Sequence, residues 1–515
     1  MSPSPLAYES WSRQDLIDRL RQLDIDRPSR SKRPGPPPQH QQKAFNFSAH
    51  PRRKIALKFS YNGSQYSGLE FQKAETALPT VEGVLYDALA HTRLIDSAAG
   101  FEGCGWEKCG RTDRGVSAAG QVVSMWVRSA TGEVETRAEQ LQETTSETEA
   151  DNKNTEELQD TDSGPGIEGD FGLMGDWDEP PTNAALPPPS KPTTEIRYIS
   201  LLNNVLPPTI RIIAWSPVAS DFSARFSCRY RHYKYFFNPV GLDLAAMQDA
   251  ASRLVGENDF RNLCKLDPSK QLTIFTRRIL SANINPAGTD GNLYVFDLVG
   301  TAFLYNQVRH IMAILFLVGT RLEPPSIVDA LLNVDPKHPR PPFKDGEPQP
   351  AIVQSKPEYQ MADPLPLMLW QCGYDADALA WRTDAAPEEG EEDADATISH
   401  RDLSNNLYHH VQSLCEQSSI HTALDVHFLR AVEKHHQPPP QYFPIGAPDA
   451  QPIPPRSVLS IPLGAGTYRR GANYVSLLKR PRGSAVELVN ERWRVGKGAR
   501  QMERRALAAR EGGDE

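Results

Sequence analysis

The stretch KCGRTDRGVSA, Lys108 to Ala118, sets one carboxylate, Asp113, between Arg111 and Arg114, with Gly110 and Gly115 outside them. Glycines at both ends permit a sharp turn that presents the side chains between them. Two neighbouring cations are expected to lower the pKa of the acid and keep it ionised, and an ionised carboxylate can act as nucleophile or as base. A salt-bridged structural turn would be spelled with the same residues, because ion-pair networks also perturb acids.

Two other stretches bear on that choice. In CRYRHYKYFF, Arg229, Arg231 and Lys234 interleave with Tyr230, Tyr233 and Tyr235, and strand alternation puts Arg231, Tyr233 and Tyr235 on one face. Rings beside cations on a sheet suit stacking on unpaired bases with phosphates nearby. A core strand with solvated charges on its other face fits the segment equally well. FLYNQVRHIMAILFLVG reads as a helix running from Phe303, with its apolar C-terminal half buried. Arg309 stands where polar residues give way to apolar ones, so it either snorkels to solvent or pairs with a partly buried carboxylate, for which Asp113 is a candidate.

Composition bounds the partners. The chain has 515 residues, 39% of them hydrophobic, enough for a substantial core, while 44 prolines predict linkers and tails outside it. Net charge is −9, but Thr131–Ser190 carries sixteen acids against Arg137 and Lys153, and Thr383–Thr397 carries seven acids and no base. Setting both stretches aside leaves the rest of the chain at +12. A basic body with solvated acidic inserts fits a nucleic-acid partner. The six cysteines are scattered, which predicts a reducing compartment. Cys104 and Cys109 have loose metal-ligand spacing, yet no second pair follows, so no metal is expected. The run IMAILFLVG is too short to cross a bilayer and no signal peptide is recognised, so an intracellular protein, in nucleus or cytoplasm or both, is expected.

These segments must be positioned by alternating strands and helices. Leu16, Ile17, Leu20 and Leu23 form one helical stripe after Ser12, and a basic, proline-rich linker completes residues 1–48. A first globular half is predicted over 49–128, with strands at KIALKFSY and QVVSMWV and a helix at TVEGVLYDALAHTRL. An acidic insert, 129–192, is expected to be a disordered surface loop. A second half, 193–382, holds the helix IRYISLLNNVL, strands at IRIIAW, RYRHYKYFF, FTRRILSANI and LYVFDLV, and helices at Leu242–Val255, from Phe303 and at SIVDALL. An acidic linker, 383–400, leads to a helical extension with a basic tail, 401–515. The mixture gives an α+β class with largely antiparallel sheet.

Taken in order, CGRTDRGVSA, DFSARFSCRYRHYKYFF and FLYNQVRHIMAILFLVG resemble the signature segments of the TruA family of tRNA pseudouridine synthases. LKFSYNGSQYSG, TVEGVLYDAL and GENDFRNLCKLD are similar to further segments of that family, and NLCKLD and RYRHYKYFF look closest to the eukaryotic branch acting at about tRNA positions 38 and 39. The resemblance implies two ferredoxin-like subdomains forming one continuous, mostly antiparallel sheet around a basic RNA-binding cleft. It implies isomerisation of uridine without a cofactor, with tRNA as partner, other RNAs left open, and a homodimer as a frequent assembly. By the same resemblance Asp113 is the nucleophile, Arg309 pairs with it, and Tyr233 stacks on the base and is a candidate to move a proton. Arg111 would fill the space of a flipped base or bind its phosphate, and Arg114, Arg229, Arg231 and Lys234 would contact RNA. A tRNA-binding or tRNA-folding protein that no longer turns over is the alternative on the same fold.

Overall fold

The computed structural model describes residues 45–131, 195–288, 292–384 and 396–500, with side chains of the long C-terminal helix described from residue 407 onward. The expected helix at Leu16–Leu23, its linker, nearly all of the acidic insert, most of the acidic linker and the end of the basic tail lie outside the described residues. Everything below concerns the compact unit Ser48–Glu515.

Its first half runs β1 (Arg52–Tyr61), α1 (Val81–His91), β2 (Glu107–Lys108), β3 (Ser117–Arg128), α2 (Tyr198–Asn203) and β4 (Ile210–Pro217). These strands lie in the order β4-β1-β3-β2, that of a ferredoxin-like β-α-β-β-α-β unit. The second half repeats the plan with β5 (Tyr230–Phe237), α3 (Leu244–Ser252), β6 (Gly256–Asp259), β7 (Thr276–Pro286), β8 (Tyr294–Gly300), α4 (Gln307–Gly319), α5 (Ile327–Leu332) and β9 (Leu367–Gly373). Here the order is β9-β5-β8-β7-β6. One nine-stranded sheet results, and among the described residues its only parallel ladder is the seam between the halves, Ser117↔Met368 and Ala118↔Leu369. The Asp113 turn feeds straight into Ser117, so the fold delivers it to that seam.

Every residue of α4 is buried, the polar Gln307, Arg309 and His310 of its first turn included, and its remainder, apolar on all sides, belongs in a core. Phe316 packs edge-on against Tyr235 and Phe237 of the sheet. The helix begins at Gln307, four residues later than the apolar pattern suggests, because Asn306 takes a left-handed conformation (φ 57°). Similarly α3 starts at Leu244, where Asp243 accepts a capping bond from Ala246 N at 3.0 Å.

Two joints close the first half on itself. Glu195 accepts from Ser129 Oγ (2.7 Å), Ala130 N (2.9 Å) and Thr131 Oγ1 (2.9 Å) and pairs with Arg53 (2.8 Å), so the residues on either side of the insert are clasped together. Asp384, counted with the acidic linker in the sequence, instead accepts from Ile199 N and Ser200 N at the start of α2, at 3.3 and 2.6 Å. An acid at a helix N-terminus satisfies amides that the helix itself cannot.

Beyond the sheet, the two expected C-terminal helices are one, α6 (Ala396–Glu433). A hairpin that period reading did not suggest follows, β10 (Leu459–Gly464) and β11 (Thr467–Gly471), and then α7 (Val486–Trp493). NYVSLLKRPRG is packed against the body: Leu477 is fully buried, and Tyr474 Oη and Leu477 N both donate to Glu323 at 2.6 Å.

Gly63 marks where β1's end meets the Asp113 turn. A Cβ there would lie 2.0 Å from the carbonyl oxygen of Val116, a backbone atom that cannot rotate away. We expect Gly63→Ala to destabilise the fold by about 1–3 kcal/mol, read as a lowered thermal midpoint, and to displace the turn and cut activity more than stability explains.

Candidate active site

The turn that carries Asp113 is fixed on both sides and free at its centre. Val116 N donates to Asp113 O (3.1 Å), and Gly115 supplies the positive φ (84°) that the bend requires. Upstream, Gly110 O accepts from Gln121 Nε2 (3.0 Å) and Cys109 O accepts from Arg231 Nη2 (3.0 Å). Thr112 O accepts from Leu69 N (3.2 Å), while the Thr112 and Tyr61 hydroxyls share a 2.6 Å hydrogen bond. The carboxylate of Asp113 itself has no hydrogen-bond partner among the described residues, and its side chain keeps 28% exposure. Its oxygens are therefore available to a reacting atom.

Arg309 faces it, Nη1 to Oδ2 at 3.9 Å. The guanidinium is aimed by Ala362 O, which accepts from Nε at 2.8 Å, and by Asn306 Oδ1, 3.4 Å from Nη1. Its position in the first turn of α4, beside the left-handed Asn306, turns it toward the seam. Arg309 is nine-tenths buried, so its charge acts through little screening.

The electrostatics correct one expectation. Burial pushes the Asp113 carboxyl above the ordinary aspartate range, while Arg309 and then Lys265 pull it back. The sequence neighbours do not supply that pull. Arg111 points away to Glu70 (2.8 Å), and Arg114 is exposed. Successive side chains of a turn diverge, so adjacency in sequence did not become adjacency in space. Lys265, from the NLCKLD segment, was missed. It is held by a 2.9 Å bond from its N–H to Tyr305 O, with Nζ 5.3 Å from the Tyr305 ring.

Tyr233 lies on the same face of β5 as Arg231 and Tyr235. Its ring packs edge-on against Phe303, centroids 5.0 Å apart, and burial holds its hydroxyl well above the usual tyrosine range. A phenol so placed keeps its proton and offers a ring edge and a donor rather than a base. Nearby, the buried Tyr61 hydroxyl is bonded to Thr112, the residue before Asp113.

The cations expected to meet RNA are of two kinds. Arg111, Arg114 and Arg229 are exposed, Arg229 with Asp375 as partner at 2.6 Å. Arg231 is committed to the carbonyls of Thr301, Cys109 and Arg225, which braces the Asp113 turn against β5. Lys234, on the opposite face, joins His232 on Asp297 at 2.6 and 2.8 Å. Burial would raise Asp297, but the bonds from His232, Lys234 and Asn285 outweigh it and hold this acid at about 2. In this structure Arg231 and Lys234 are thus engaged in protein contacts.

Cys109, Cys228 and Cys372 are buried near Arg231, and all three are free thiols. Among the described residues no group of His, Cys, Asp or Glu is placed to hold a metal ion.

Comparison with known proteins gives a consistent picture. A family profile described as tRNA pseudouridine synthase matches residues 250–375. The tRNA pseudouridine(38/39) synthase of Saccharomyces cerevisiae is 37% identical over 391 residues, covering 71% of this chain and 72% of that protein. The human tRNA pseudouridine(38/39) synthase is 38% identical over 356 residues, covering 67% of this chain and 60% of its own length. A tRNA pseudouridine synthase A from Methanosarcina mazei is 27% identical over 282 residues, 55% of this chain and 77% of that protein.

Proposed function

From the premise that this chain belongs to the tRNA pseudouridine synthase family, we propose that it converts uridine to pseudouridine at positions 38 and 39 of the tRNA anticodon arm, with Asp113 as nucleophile. The observation that carries the assignment of roles is the half-buried Asp113 carboxylate, free of hydrogen bonds and 3.9 Å from a buried arginine at the seam of the two halves. The yeast and human relatives named for positions 38/39 support the choice of site on the RNA.

The reaction breaks the N1–C1′ bond, turns the base and joins C5 to C1′, while the proton on C5 leaves and N1 regains one. Nothing is oxidised and no external group enters, so one carboxylate suffices as covalent partner. Three routes are served by this geometry: attack on the ribose carbon, attack on the base, or assistance to elimination through a glycal. In each, Arg309 keeps the carboxylate ionised and aimed. Tyr233 would support the base by its ring, and the uridine must leave its stack to reach Asp113. Arg111, exposed beside the turn, would fill the vacated space or bind its phosphate on releasing its ion pair with Glu70.

The test is to incubate the purified chain with unmodified tRNAs bearing uridine at 38 or 39, with no metal or cofactor added, and to map pseudouridine by chemical labelling. Modification at those positions, absent when they are cytidine, is the expected result. Modification elsewhere overturns the positional assignment, and RNA binding without modification puts the binding-protein reading in its place.

A further inference from the structure

The hairpin β10–β11 and the segment after it hold Arg469, Arg470, Lys479, Arg480 and Arg482 without one acid between Thr467 and Gly483. None of these cations has a carboxylate partner within ion-pair distance among the described residues. Ile461 pairs with Arg469 across the hairpin, so these two share the face turned to the body, while Tyr468 and Arg470 take the other. Beneath Arg469 is a cavity of about 240 Å³ whose wall includes Arg480, Tyr474, Asn473 and Glu358.

Arg480 is nine-tenths buried and rigidly aimed. Its Nε donates to Val475 O (2.8 Å), its Nη1 to Glu358 O (3.1 Å), and its guanidinium lies 5.0 Å from the Tyr474 ring. Glu323, the buried acid that favours its charge, is already occupied by Tyr474 Oη and Leu477 N. Burial lowers the pKa of Arg480, and Arg469 across the cavity adds repulsion. Two guanidiniums on one cavity, one buried without an ion-pair partner, leave a position that an anion would complete.

The hairpin is tied to the catalytic seam through three consecutive residues. Ala362 O accepts from Arg309 Nε, Asp363 N donates to Leu463 O of β10 (2.7 Å), and the Pro364 ring would meet any Cβ on Gly115 at 3.1 Å. Tyr235 Oη donates to both Asp363 O (3.0 Å) and Leu463 O (3.2 Å), so the hairpin rests on the face of β5 that carries Tyr233.

We infer that the cavity between Arg469 and Arg480 is a second RNA contact, which takes a backbone phosphate of the same tRNA whose uridine is held at Asp113. The inference rests on the functional reading above for the identity of the RNA. Neither arginine touches the reacting atoms, so the site acts on affinity and not on the chemical step.

The experiment measures Kd, its salt dependence, and kcat for unmodified tRNA with wild-type, Arg469→Gln, Arg480→Gln and Arg470→Gln proteins. Loss of Arg469 is expected to weaken binding about tenfold, to reduce the slope of log K against log salt by about one, and to leave kcat unchanged. Arg480→Gln should match it if folded. Because Arg480 is buried, Arg469→Gln, at the surface, is the decisive variant. Unchanged Kd and salt slope in Arg469→Gln overturn the inference. An equal loss in Arg470→Gln does so too, since diffuse charge would then explain the binding. If inorganic phosphate protects the wild type but not Arg469→Gln against heat while RNA affinity is the same in both, the cavity serves a free anion and the RNA assignment fails. An inactive wild type whose RNA affinity still falls in Arg469→Gln leaves the site standing and removes the catalytic reading alone.

Discussion

Asp113→Asn will lower pseudouridine formation by on the order of 10⁴-fold or more, with tRNA affinity within a few-fold of wild type and an unchanged thermal midpoint. The expectation of intact binding and folding comes from the geometry. Asparagine is nearly isosteric, and the turn is fixed by the backbone and side-chain bonds of Gly110, Thr112 and Val116, none of which uses the carboxylate. Only the carboxylate proposed as nucleophile is removed. Single-turnover assays beside a filter-binding titration separate the two quantities. A parallel loss of binding and stability would mean that the acid is a structural member of the turn, and residual activity within tenfold of wild type would remove it as nucleophile.

The second large effect is at Arg309. Without its charge, burial is opposed only by Lys265, so the Asp113 pKa rises further. A higher pKa leaves less carboxylate at a given pH, and the acid limb of the pH–rate profile must move to higher pH. We expect Arg309→Gln to lose about 10²-fold at neutral pH and to recover part of that loss as the pH is raised. Arg309→Lys keeps the charge but cannot hold Ala362 O and Asn306 together, so its acid limb should return toward wild type while its rate stays reduced. An acid limb that stays fixed in Arg309→Gln would show that the arginine supports Ala362 and does nothing to Asp113. Tm measured on both variants accounts for the buried bonds they share.

How much of this could be read from the chain varies with the kind of signal. The helix bearing Arg309, the strand bearing Tyr233 and the glycine-bounded turn were legible because apolar period and turn chemistry mark them locally. The partnership of Asp113 with Arg309 was legible as a candidate, since a boundary arginine that does not snorkel to solvent pairs with a carboxylate. Its route was not, because it depends on β9, whose seven residues follow Pro364 and Pro366 and were assigned no element from the sequence. Ala362 could not have been found, since it acts through its carbonyl. Lys265 stood in a quoted segment, but nothing local says that a lysine after a 3₁₀ turn faces a site 150 residues away. The mutual support assigned to Arg111, Arg114 and Asp113 failed for a geometric reason: a turn separates neighbours that a strand or helix would align.

The Glu195 clasp bears on how such a chain can change over time. It fastens the residues before and after the stretch 132–194 to one another and to β1, so the sheet is closed whatever length lies between. The entropy of closing a longer stretch grows only by about 0.6 kcal/mol per doubling. Insertions, deletions and a drift toward one sign of charge there carry almost no penalty in foldability. The same freedom does not extend to Glu195, where a single substitution would open the gate that makes the rest permissible.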